Sequence, residues 1–261
     1  MNPKTPILGI LGGMGPVVTI DFLKSIYEYN QFLHHEQEAP NVIVFSLPSA
    51  PDRTSSIESG NEQEFIDFIQ LHLENISKFV DRIVIGCCTS HYALPHIPEH
   101  LTNKVISLIK IVDQELQEHD EPALLLASTG TYHKKLFHDG CSAADRIISL
   151  SEKDQHLIHE MIYRVLKRGQ DPLTILVDIQ ELLHKYNTRS YISGCTEFHL
   201  FTKSLKLNKI DSIKAIDPLT TIAQNFFQLL EQSTSNSTLL LENIKLPKQF
   251  HPSPINSICV K

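Results

Sequence analysis

Two short segments of the chain place a cysteine directly after a glycine and a histidine four residues after that cysteine. They are residues 86–91, with Cys87, and residues 194–199, with Cys195. A thiol that loses its proton becomes a base, and its pKa falls near helix N-termini or cationic partners. Two such groups flanking one carbon could remove a proton from one face and return a proton to the other. The paired segments therefore indicate acid–base chemistry shared by two thiols, one resting as thiolate and the other as thiol.

The same residues allow two plainer interpretations. Free cysteine is often fully buried, so each thiol could simply be a small apolar side chain of the core. Cysteine and histidine are also zinc ligands, a role open to residues 87, 88, 91, 195 and 199. Their spacing is not the Cys-x-x-Cys form of structural zinc sites, and a chain of 261 residues can fold without a metal. We expect no metal, and an odd number of cysteines (five) argues against a complete disulfide framework.

Two other segments offer groups for an anionic ligand. The turn Gly-Gly-Met-Gly at residues 12–15 could hold a phosphate or carboxylate through backbone N–H groups. It matches neither Gly-x-Gly-x-x-Gly nor the Walker pattern, so a nucleotide is disfavoured, and a turn that only packs a strand against a helix explains it equally well. Arg53, in the Pro-Asp-Arg-Thr stretch that follows a predicted strand, has the planar fork that suits a carboxylate.

Apolar runs of strand length alternate with periodic segments of helix length, which predicts parallel sheets covered by helices. A helix is predicted after Pro16, with Ile20, Leu23 and Tyr27 on its apolar face. The predicted strands are residues 7–11, 41–47, 82–86, 123–127, 147–150, 189–193 and 212–216, and further helices are predicted at 62–80, 154–167, 172–186 and 220–230.

The two halves of this pattern follow the same plan, since each contains a strand ending in a glycine-containing turn and a later strand ending in Gly-Cys. Ligands of open parallel sheets bind beyond the carboxyl ends of the strands. The segments 12–15, 87–91, 129–131 and 195–197 are all predicted there. If the halves face each other about a pseudo-twofold axis, Cys87 and Cys195 lie on opposite walls of one cleft.

The composition and charge of the chain argue against several functional classes. The chain carries 23 basic and 30 acidic residues, a net charge of −7, so it has no general attraction for nucleic acid or anionic membranes. No apolar run approaches the roughly 20 residues that span a bilayer, and residues 1–7 lack the apolar segment of a signal peptide. We therefore expect a cytoplasmic protein that contacts neither membrane nor nucleic acid. The stretch from Ser233 onward is predicted to form a tail on the protein surface.

The motifs resemble those of the cofactor-independent aspartate racemase family, within the aspartate/glutamate racemase superfamily. Residues 8–16, Leu-Gly-Ile-Leu-Gly-Gly-Met-Gly-Pro, are similar to the family's opening. Glutamate racemases typically begin with Asp-Ser-Gly and carry His after the second Cys-Thr, so Glu197 favours the aspartate branch. The likeness covers about residues 7–230. Similar motifs follow in order as Pro-Asp-Arg-Thr at 51–54, Gly-Cys-Cys-Thr-Ser-His at 86–91, Thr-Gly-Thr at 129–131 and Gly-Cys-Thr-Glu at 194–197.

This resemblance implies racemisation of an acidic amino acid, aspartate or glutamate, with no cofactor and in a homodimer. Cys87 would act on the D-face proton and Cys195 on the L-face proton. Arg53 and Lys167 would hold the side-chain carboxylate of the substrate. The remaining implied substrate-binding residues are Met14, Cys88, Thr89, Thr129, Thr131, Thr196 and Glu197.

One position departs from the family. An Asn normally follows the first cysteine, whereas this chain has Cys88, whose thiol is a weak hydrogen-bonding group. Either a substrate contact is weakened or specificity has moved to another acid. Cys88-Thr89 also matches Cys195-Thr196 better than Cys87-Cys88 does, so a shifted register is an alternative. The resemblance favours Cys87, because Thr and His then keep their family places.

The predicted fold is α/β, with two similar flavodoxin-like lobes of parallel sheet and an active-site cleft between them. Residues 1–108 plus 212–261 would form the first lobe and residues 109–211 the second, with the segment 212–230 completing the first sheet. Two other functions stay open. The protein could be another enzyme of the superfamily, such as a hydantoin racemase or a maleate isomerase, or a non-catalytic protein that binds an acidic ligand.

Overall fold

The computed structural model describes residues 6–31 and 35–231. It has two parallel sheets, and the predicted two-lobe α/β fold is confirmed. The first sheet has the strand order β2-β1-β3 and the second has the order β5-β4-β6-β7. The strands are β1 Ile7–Gly12, β2 Asn41–Ser46, β3 Arg82–Ile85, β4 Ala123–Leu126, β5 Ile147–Ile148, β6 Ser190–Ser193 and β7 Lys214–Ile216.

Helices connect these strands, as parallel pairing requires. The α-helices are α1 Pro16–Tyr29, α2 Arg53–Glu58, α3 Gln63–Ile76, α4 Glu99–Thr102, α5 Leu108–Glu118, α6 Thr129–His133, α7 Leu136–Gly140, α8 Glu152–Arg164, α9 Leu176–Lys185, α10 Phe198–Leu207, α11 Pro218–Gln224 and α12 Phe226–Glu231. Short 3₁₀ segments lie at Glu36–Glu38, Thr89–His96, Ala144–Arg146, Leu166–Arg168 and Pro172–Ile175. Within the described residues, no helix is both long and apolar enough to cross a bilayer.

The apolar core has three parts, because successive side chains of a strand point to opposite faces of its sheet. Leu8 and Ile10 of β1 pack into a central cluster together with Leu125 of β4, so this cluster is shared by the two sheets. Leu11 of β1 points the other way, toward a cluster under α3. Leu124 of β4 packs into the third cluster, which α8 and α9 cover. The two lobes therefore share a core as well as a cleft.

The strand predicted at residues 212–216 is real, but its predicted sheet is wrong. β7 pairs in parallel with β6, with Ser190 opposite Lys214, and so extends the second sheet. Strands that are consecutive along the chain usually become neighbours, and β7 follows β6 across a single helix. The following helix, α11, does contribute to the core that contains β1, through Leu219 and Ile222. The proposed lobe boundaries stay a prediction, and the predicted tail lies outside the described residues.

The predicted apolar face of α1 is wrong for two of its three residues, since only Leu23 packs against the central cluster. Ile20 and Tyr27 are 67% and 42% exposed, whereas Val18, Phe22 and Ile26 are buried. The predicted and the buried sets of residues both have helical spacing, and only one set can face the sheet. The buried stripe packs with β1 and α11 in the central cluster.

Side-chain caps start three of the helices, α2, α6 and α11. Asp52 accepts a hydrogen bond from the backbone N–H of Ser55 and begins α2. Ser128 caps α6 by accepting from the N–H of Thr131, and Asp217 caps α11. Such caps satisfy N–H groups that the first turn of a helix leaves unpaired. They fix the helix starts at the carboxyl ends of the strands, where the site residues lie.

Candidate functional site

A cleft between the lobes brings together groups from five regions of the chain. Its volume is about 250 Å³, including the part open to solvent. Cys87 follows β3 on one wall and Cys195 follows β6 on the other, and both thiols line the cleft while only 9% and 7% exposed. The lining residues are Arg53, Thr54, Cys87, Thr89, Ser128, Tyr163, Lys167, Cys195 and Glu197.

Six of the residues singled out in the sequence lie in this lining: Arg53, Cys87, Thr89, Lys167, Cys195 and Glu197. Three others lie immediately behind it. The carbonyl of Met14 accepts a hydrogen bond from Arg53 Nη2 at 2.9 Å. Thr131 Oγ1 is 2.8 Å from Thr89 Oγ1, and Thr196 Oγ1 donates to the carbonyl of Gly86 at 3.1 Å. These contacts support lining residues or nearby backbone, and none of the three residues belongs to the lining.

Thr129 lies at the rim. Its hydroxyl donates to Glu58 Oε1 at 3.1 Å and is 3.2 Å from His159 Nδ1. Glu58 ends α2 of the first lobe and His159 belongs to α8 of the second. Thr129 thus takes part in closing contacts between the lobes, outside the lining itself.

The side chain of Cys88 is directed into the core. It packs in the central apolar cluster, and its Sγ contacts the carbonyl oxygen of Ser193 at 3.8 Å. Burial, with the nearby Cys87 and Glu197, raises the pKa of the Cys88 thiol well above its usual value. Cys87 instead belongs to the cluster on the other side of the first sheet and lines the cleft. Of the two adjacent thiols, the structure therefore presents Cys87 to a ligand.

The surroundings of Cys87 are positively charged. Arg53 is buried, lines the cleft together with Cys87, and donates from Nη1 to the carbonyl of Pro51 at 2.9 Å. Burial alone lowers the pKa of Arg53, but the charges of Cys87 and Asp52 prevail and raise it. The Arg53 Nε atom is buried without a hydrogen-bond partner among the described residues. The guanidinium therefore has an unused donor beside the cleft.

The surroundings of Cys195 are different. Its thiol donates to Glu197 Oε2 at 2.8 Å, and Thr196 Oγ1 lies 3.4 Å from the same oxygen. Burial and the charge of Glu197 raise the pKa of Cys195 well above its ordinary value, against the opposing charge of Lys167. A carboxylate beside a buried thiol keeps that thiol protonated.

Glu197 itself is held at the start of α1. Its Oε1 atom lies so close to Gly15 that a Cβ at that position would collide with it. Gly15 is the N-cap of α1, and the positive end of a helix favours a carboxylate. The preceding Gly13 has φ of +86°, a conformation that L side chains rarely adopt. The glycine turn therefore leaves room for the acidic group of the second lobe.

Lys167 and Asp52 form a loose ion pair across the cleft, with Nζ and Oδ2 3.9 Å apart. The ammonium lies 3.9 Å from the centre of the Tyr163 ring, and the Tyr163 hydroxyl donates to Asp52 Oδ2 at 2.9 Å. Burial lowers the pKa of Lys167, but Glu197 and Tyr163 raise it, and the result is a raised value. The ammonium is thus charged and only weakly paired.

Hydroxyl groups form the remaining polar wall. Thr89 Oγ1 lies 3.1 Å from Ser128 Oγ, and Thr131 lies within 3.3 Å of Ser128. Hydroxyl hydrogens can rotate, so these groups can donate to an anionic ligand and otherwise satisfy one another. The cleft therefore contains two cations, a thiol hydrogen-bonded to a carboxylate, and a cluster of hydroxyl groups. This combination suits a small ligand that carries carboxylates.

Sequence reasoning missed three lining residues: Thr54, Ser128 and Tyr163. Thr54 and Ser128 are direct neighbours of residues that were singled out. Tyr163 lies four residues before Lys167, and this spacing places two side chains on one face of a helix. Helical spacing from the predicted cation was the signal that could have identified it.

Cysteine and metal chemistry can be described for residues 6–31 and 35–231. Cys87, Cys88, Cys141 and Cys195 are free thiols, whereas Cys259 lies outside those ranges. In the same ranges, no three His, Cys, Asp or Glu side chains are grouped so that they could hold a metal ion.

Comparison with known proteins identifies related sequences. A family model described as Asp/Glu/Hydantoin racemase matches residues 11–225. The broad specificity amino-acid racemase RacX of Bacillus subtilis is 27% identical over 128 residues, which are 48% of this chain and 54% of RacX. The matched part thus spans about half the length of that relative.

Comparison of folds gives a similar result over most of the chain. The Picrophilus torridus aspartate racemase superposes with a TM-score of 0.72 at 19% identity, covering 87% of this chain and 94% of that one. Glutamate racemase RacE1 of Bacillus anthracis gives a TM-score of 0.59 at 16% identity, covering 92% and 85%. At such identities the likeness shows a shared fold.

Proposed function

Because the chain belongs to the Asp/Glu/Hydantoin racemase family, we propose that it is an amino-acid racemase that interconverts the L and D forms of aspartate or glutamate without a cofactor. The observation that carries this proposal is that Cys87 and Cys195 line one cleft from different lobes. Inversion at Cα needs an acid–base group on each face of the carbon, and the two thiols supply such a pair.

The charges of the cleft support an acidic substrate. Arg53 has a buried donor without a partner, and the Lys167 ammonium is held 3.9 Å from Asp52 in a loose pair. Both cations can bind the side-chain carboxylate of aspartate or glutamate. The hydroxyls of Thr89 and Ser128 are placed to donate to the second carboxylate.

The proton transfer follows from the two thiol environments. With a D substrate, the Cys87 thiolate takes the Cα proton, and the electron pair of that C–H bond remains on the substrate as a carbanion. The Cys195 thiol then gives its proton to the opposite face, which leaves Cys87 as thiol and Cys195 as thiolate. The reverse reaction starts from an L substrate and uses the same steps.

The carbanion needs stabilisation, since a Cα proton is a very weak acid. Its charge spreads onto the α-carboxylate, where fixed hydroxyl donors in a site shielded from water lower the barrier. Cys87, Thr89, Cys195 and Glu197 are all buried, which restricts water around the reacting carbon.

The test is to incubate the purified protein with each enantiomer of aspartate and glutamate in D2O and follow optical rotation and deuterium at Cα. We expect inversion with deuterium incorporation in the wild type, and loss of inversion in Cys87→Ala and in Cys195→Ala. Inversion of a hydantoin or isomerisation of maleate, with neither amino acid inverted, would assign the other superfamily activities. Binding of aspartate without exchange would identify a non-catalytic binding protein.

Two further properties belong to this proposal, namely a homodimeric assembly and a cytoplasmic location. Both come from family resemblance and from the sequence features described above. Sedimentation equilibrium at micromolar concentration tests the first, with twice the chain mass of 29.6 kDa expected for the dimer. Fractionation of the source cells tests the second.

A further inference from the structure

The histidines that follow the two cysteines by four residues are not part of the cleft lining, yet both are buried. His91 lies in the 3₁₀ segment after Cys87, and His199 lies in the first turn of α10 after Cys195. A buried imidazole with no contact to the ligand site needs another explanation. Their hydrogen bonds provide one.

His91 acts on the backbone of Cys87 directly. Its Nε2 accepts a hydrogen bond from the N–H of Leu108 at 3.1 Å, which leaves the ring proton on Nδ1. Nδ1 then donates to the carbonyl of Cys87 at 3.2 Å. Burial lowers the pKa of His91 to about 4, so the neutral ring keeps this arrangement at neutral pH. The imidazole thus ties Cys87 to the start of α5.

His199 acts through a chain of donors between the lobes. Lys203 Nζ donates to Ser25 Oγ at 3.1 Å, and Ser25 Oγ forms a hydrogen bond with His199 Nε2 at 3.0 Å. Nδ1 of His199 donates to Asp217 Oδ2 at 2.7 Å, which also accepts from Thr220. Although burial alone raises the pKa of Asp217, His199 and Thr220 lower it, so the acceptor is a carboxylate.

This series of hydrogen bonds fixes the segment that bears Cys195, the second thiol. The N–H of His199 donates to the carbonyl of Thr196 at 3.0 Å, in the same turn as Cys195. Ser25 is in α1, the helix whose N-cap Gly15 lies against Glu197. α1 and the α10 segment therefore meet at two points, at Glu197 in the cleft and at His199 behind it. A shift at the second point would move Glu197 relative to Gly15, the residue of α1 against which its carboxylate lies.

We propose that His91 and His199 are positioning residues, each for its own cysteine: His91 holds Cys87 opposite Arg53, and His199 holds Cys195 and Glu197 against the first lobe. The inference rests on the proposed function for its catalytic consequence. Its structural part concerns the two thiols alone and can be measured without a substrate.

The experiment measures iodoacetamide alkylation of each cysteine by mass spectrometry in wild type, His91→Leu and His199→Leu, with buried Cys141 as internal reference. In His199→Leu we expect Cys195 to be alkylated about tenfold faster, because loss of its carboxylate partner lowers its pKa and increases its thiolate fraction, with Cys87 unchanged. In His91→Leu we expect slower alkylation of Cys87 alone, as its sulfur moves away from Arg53.

Steady-state kinetics with aspartate provide the second readout. We expect kcat to fall about 10- to 100-fold in either leucine variant, since small displacements of reacting groups have effects of this size. KM should stay within about twofold, because Arg53 and Lys167 are untouched. His91→Asn and His199→Asn, whose amides can donate to Cys87 O or to Asp217, should recover part of kcat, as a merely space-filling role would not allow.

The outcomes separate the two proposals. Alkylation that is unchanged, or that changes equally at both cysteines, in folded leucine variants overturns the positioning role. A cysteine-specific change in a protein that inverts no amino acid overturns the proposed function and leaves the positioning role standing. If circular dichroism shows that His199→Leu is unfolded, Ser25→Ala takes its place. That variant removes only the contact from α1 and should give the same Cys195 effect at smaller size.

Discussion

Cys87 and Cys195 follow matching sequence motifs, yet the structure gives them opposite electrostatic surroundings. The buried Arg53 guanidinium lines the cleft together with Cys87, so negative charge on that sulfur has a cation nearby. Cys195 donates to Glu197, so its proton has a carboxylate acceptor at 2.8 Å. A two-base reaction needs one thiolate and one thiol at the start. Before any substrate binds, the two cysteines therefore already face opposite charges, a guanidinium at Cys87 and a carboxylate at Cys195.

The two cysteines differ in the charged residues near them and not in their own local sequence. Each thiol follows a buried strand and a glycine, and each has a buried histidine four residues later. Arg53 reaches Cys87 from α2, whereas Glu197 is two residues from Cys195 and belongs to the same turn. The cation is thus supplied by a separate element and the carboxylate by the local chain. Changes to these partners should affect one thiol at a time.

Removing either thiol should have the largest effect. Cys87→Ala and Cys195→Ala should each slow racemisation at least about 10³-fold, within the range by which a positioned acid or base accelerates proton transfer. The remaining thiol still faces one side of Cα. We therefore expect Cys195→Ala to exchange the Cα proton of D-aspartate slowly without inversion, and Cys87→Ala that of L-aspartate. NMR in D2O measures both.

The matched control is Cys141→Ala, since Cys141 is a buried free thiol outside the cleft lining. Its racemase rate should equal that of wild type within about twofold. Exchange of the same enantiomer by both single-thiol variants would contradict the assignment of one face to each cysteine.

Much of this arrangement was predictable from local sequence. The apolar runs before Gly86 and Gly194 predict buried strands, and parallel strands present their carboxyl ends at one edge. That argument placed Cys87 and Cys195 correctly at strand ends. It could not assign β7 to a sheet, because pairing at a sheet edge depends on tertiary packing that a three-residue strand does not encode.

The direction of individual side chains was harder to predict. Cys87 and Cys88 are adjacent at the end of a strand, where successive side chains point to opposite faces. A shift of one residue in the strand register therefore decides which of the two thiols faces the cleft. The amino-acid composition does not determine that register. The partnership between Tyr163, Lys167 and Asp52 joins segments more than 100 residues apart. Such contacts follow from the packing of the lobes.

Arg53→Gln should have the next largest effect, with kcat/KM about 10²-fold lower. Loss of one member of a buried charged pair typically costs about 3–5 kcal/mol, and a glutamine amide recovers part of it by hydrogen bonding. Alkylation of Cys87 should slow in this variant while that of Cys195 stays unchanged. Arg164→Gln, at an exposed position of α8, is the control. Equal changes at both cysteines would mean that Arg53 does not act on Cys87 specifically.

Glu197→Gln tests the other thiol, with an expected loss of about tenfold in kcat. The Glu197 carboxylate raises the pKa of Cys195, so its removal should lower that pKa and increase the thiolate fraction at a given pH. The midpoint of the pH dependence of Cys195 alkylation should therefore move to lower pH. Cys87 in the same sample is the internal reference. A midpoint that stays in place, or that moves upward, would refute the role assigned to this carboxylate.

Lys167→Met should have the smallest effect of the series and should separate substrate binding from thiol chemistry. The Lys167 ammonium is weakly paired and faces the cleft, so its loss should remove a charge-assisted contact to the side-chain carboxylate of aspartate. We expect KM to rise about fivefold, equivalent to ~1 kcal/mol, with kcat within about twofold. Lys24→Met, at an exposed position of α1, should leave both constants unchanged. Because Lys167 also opposes the raised pKa of Cys195, a fall in kcat with constant KM would instead show that this lysine acts on the second thiol.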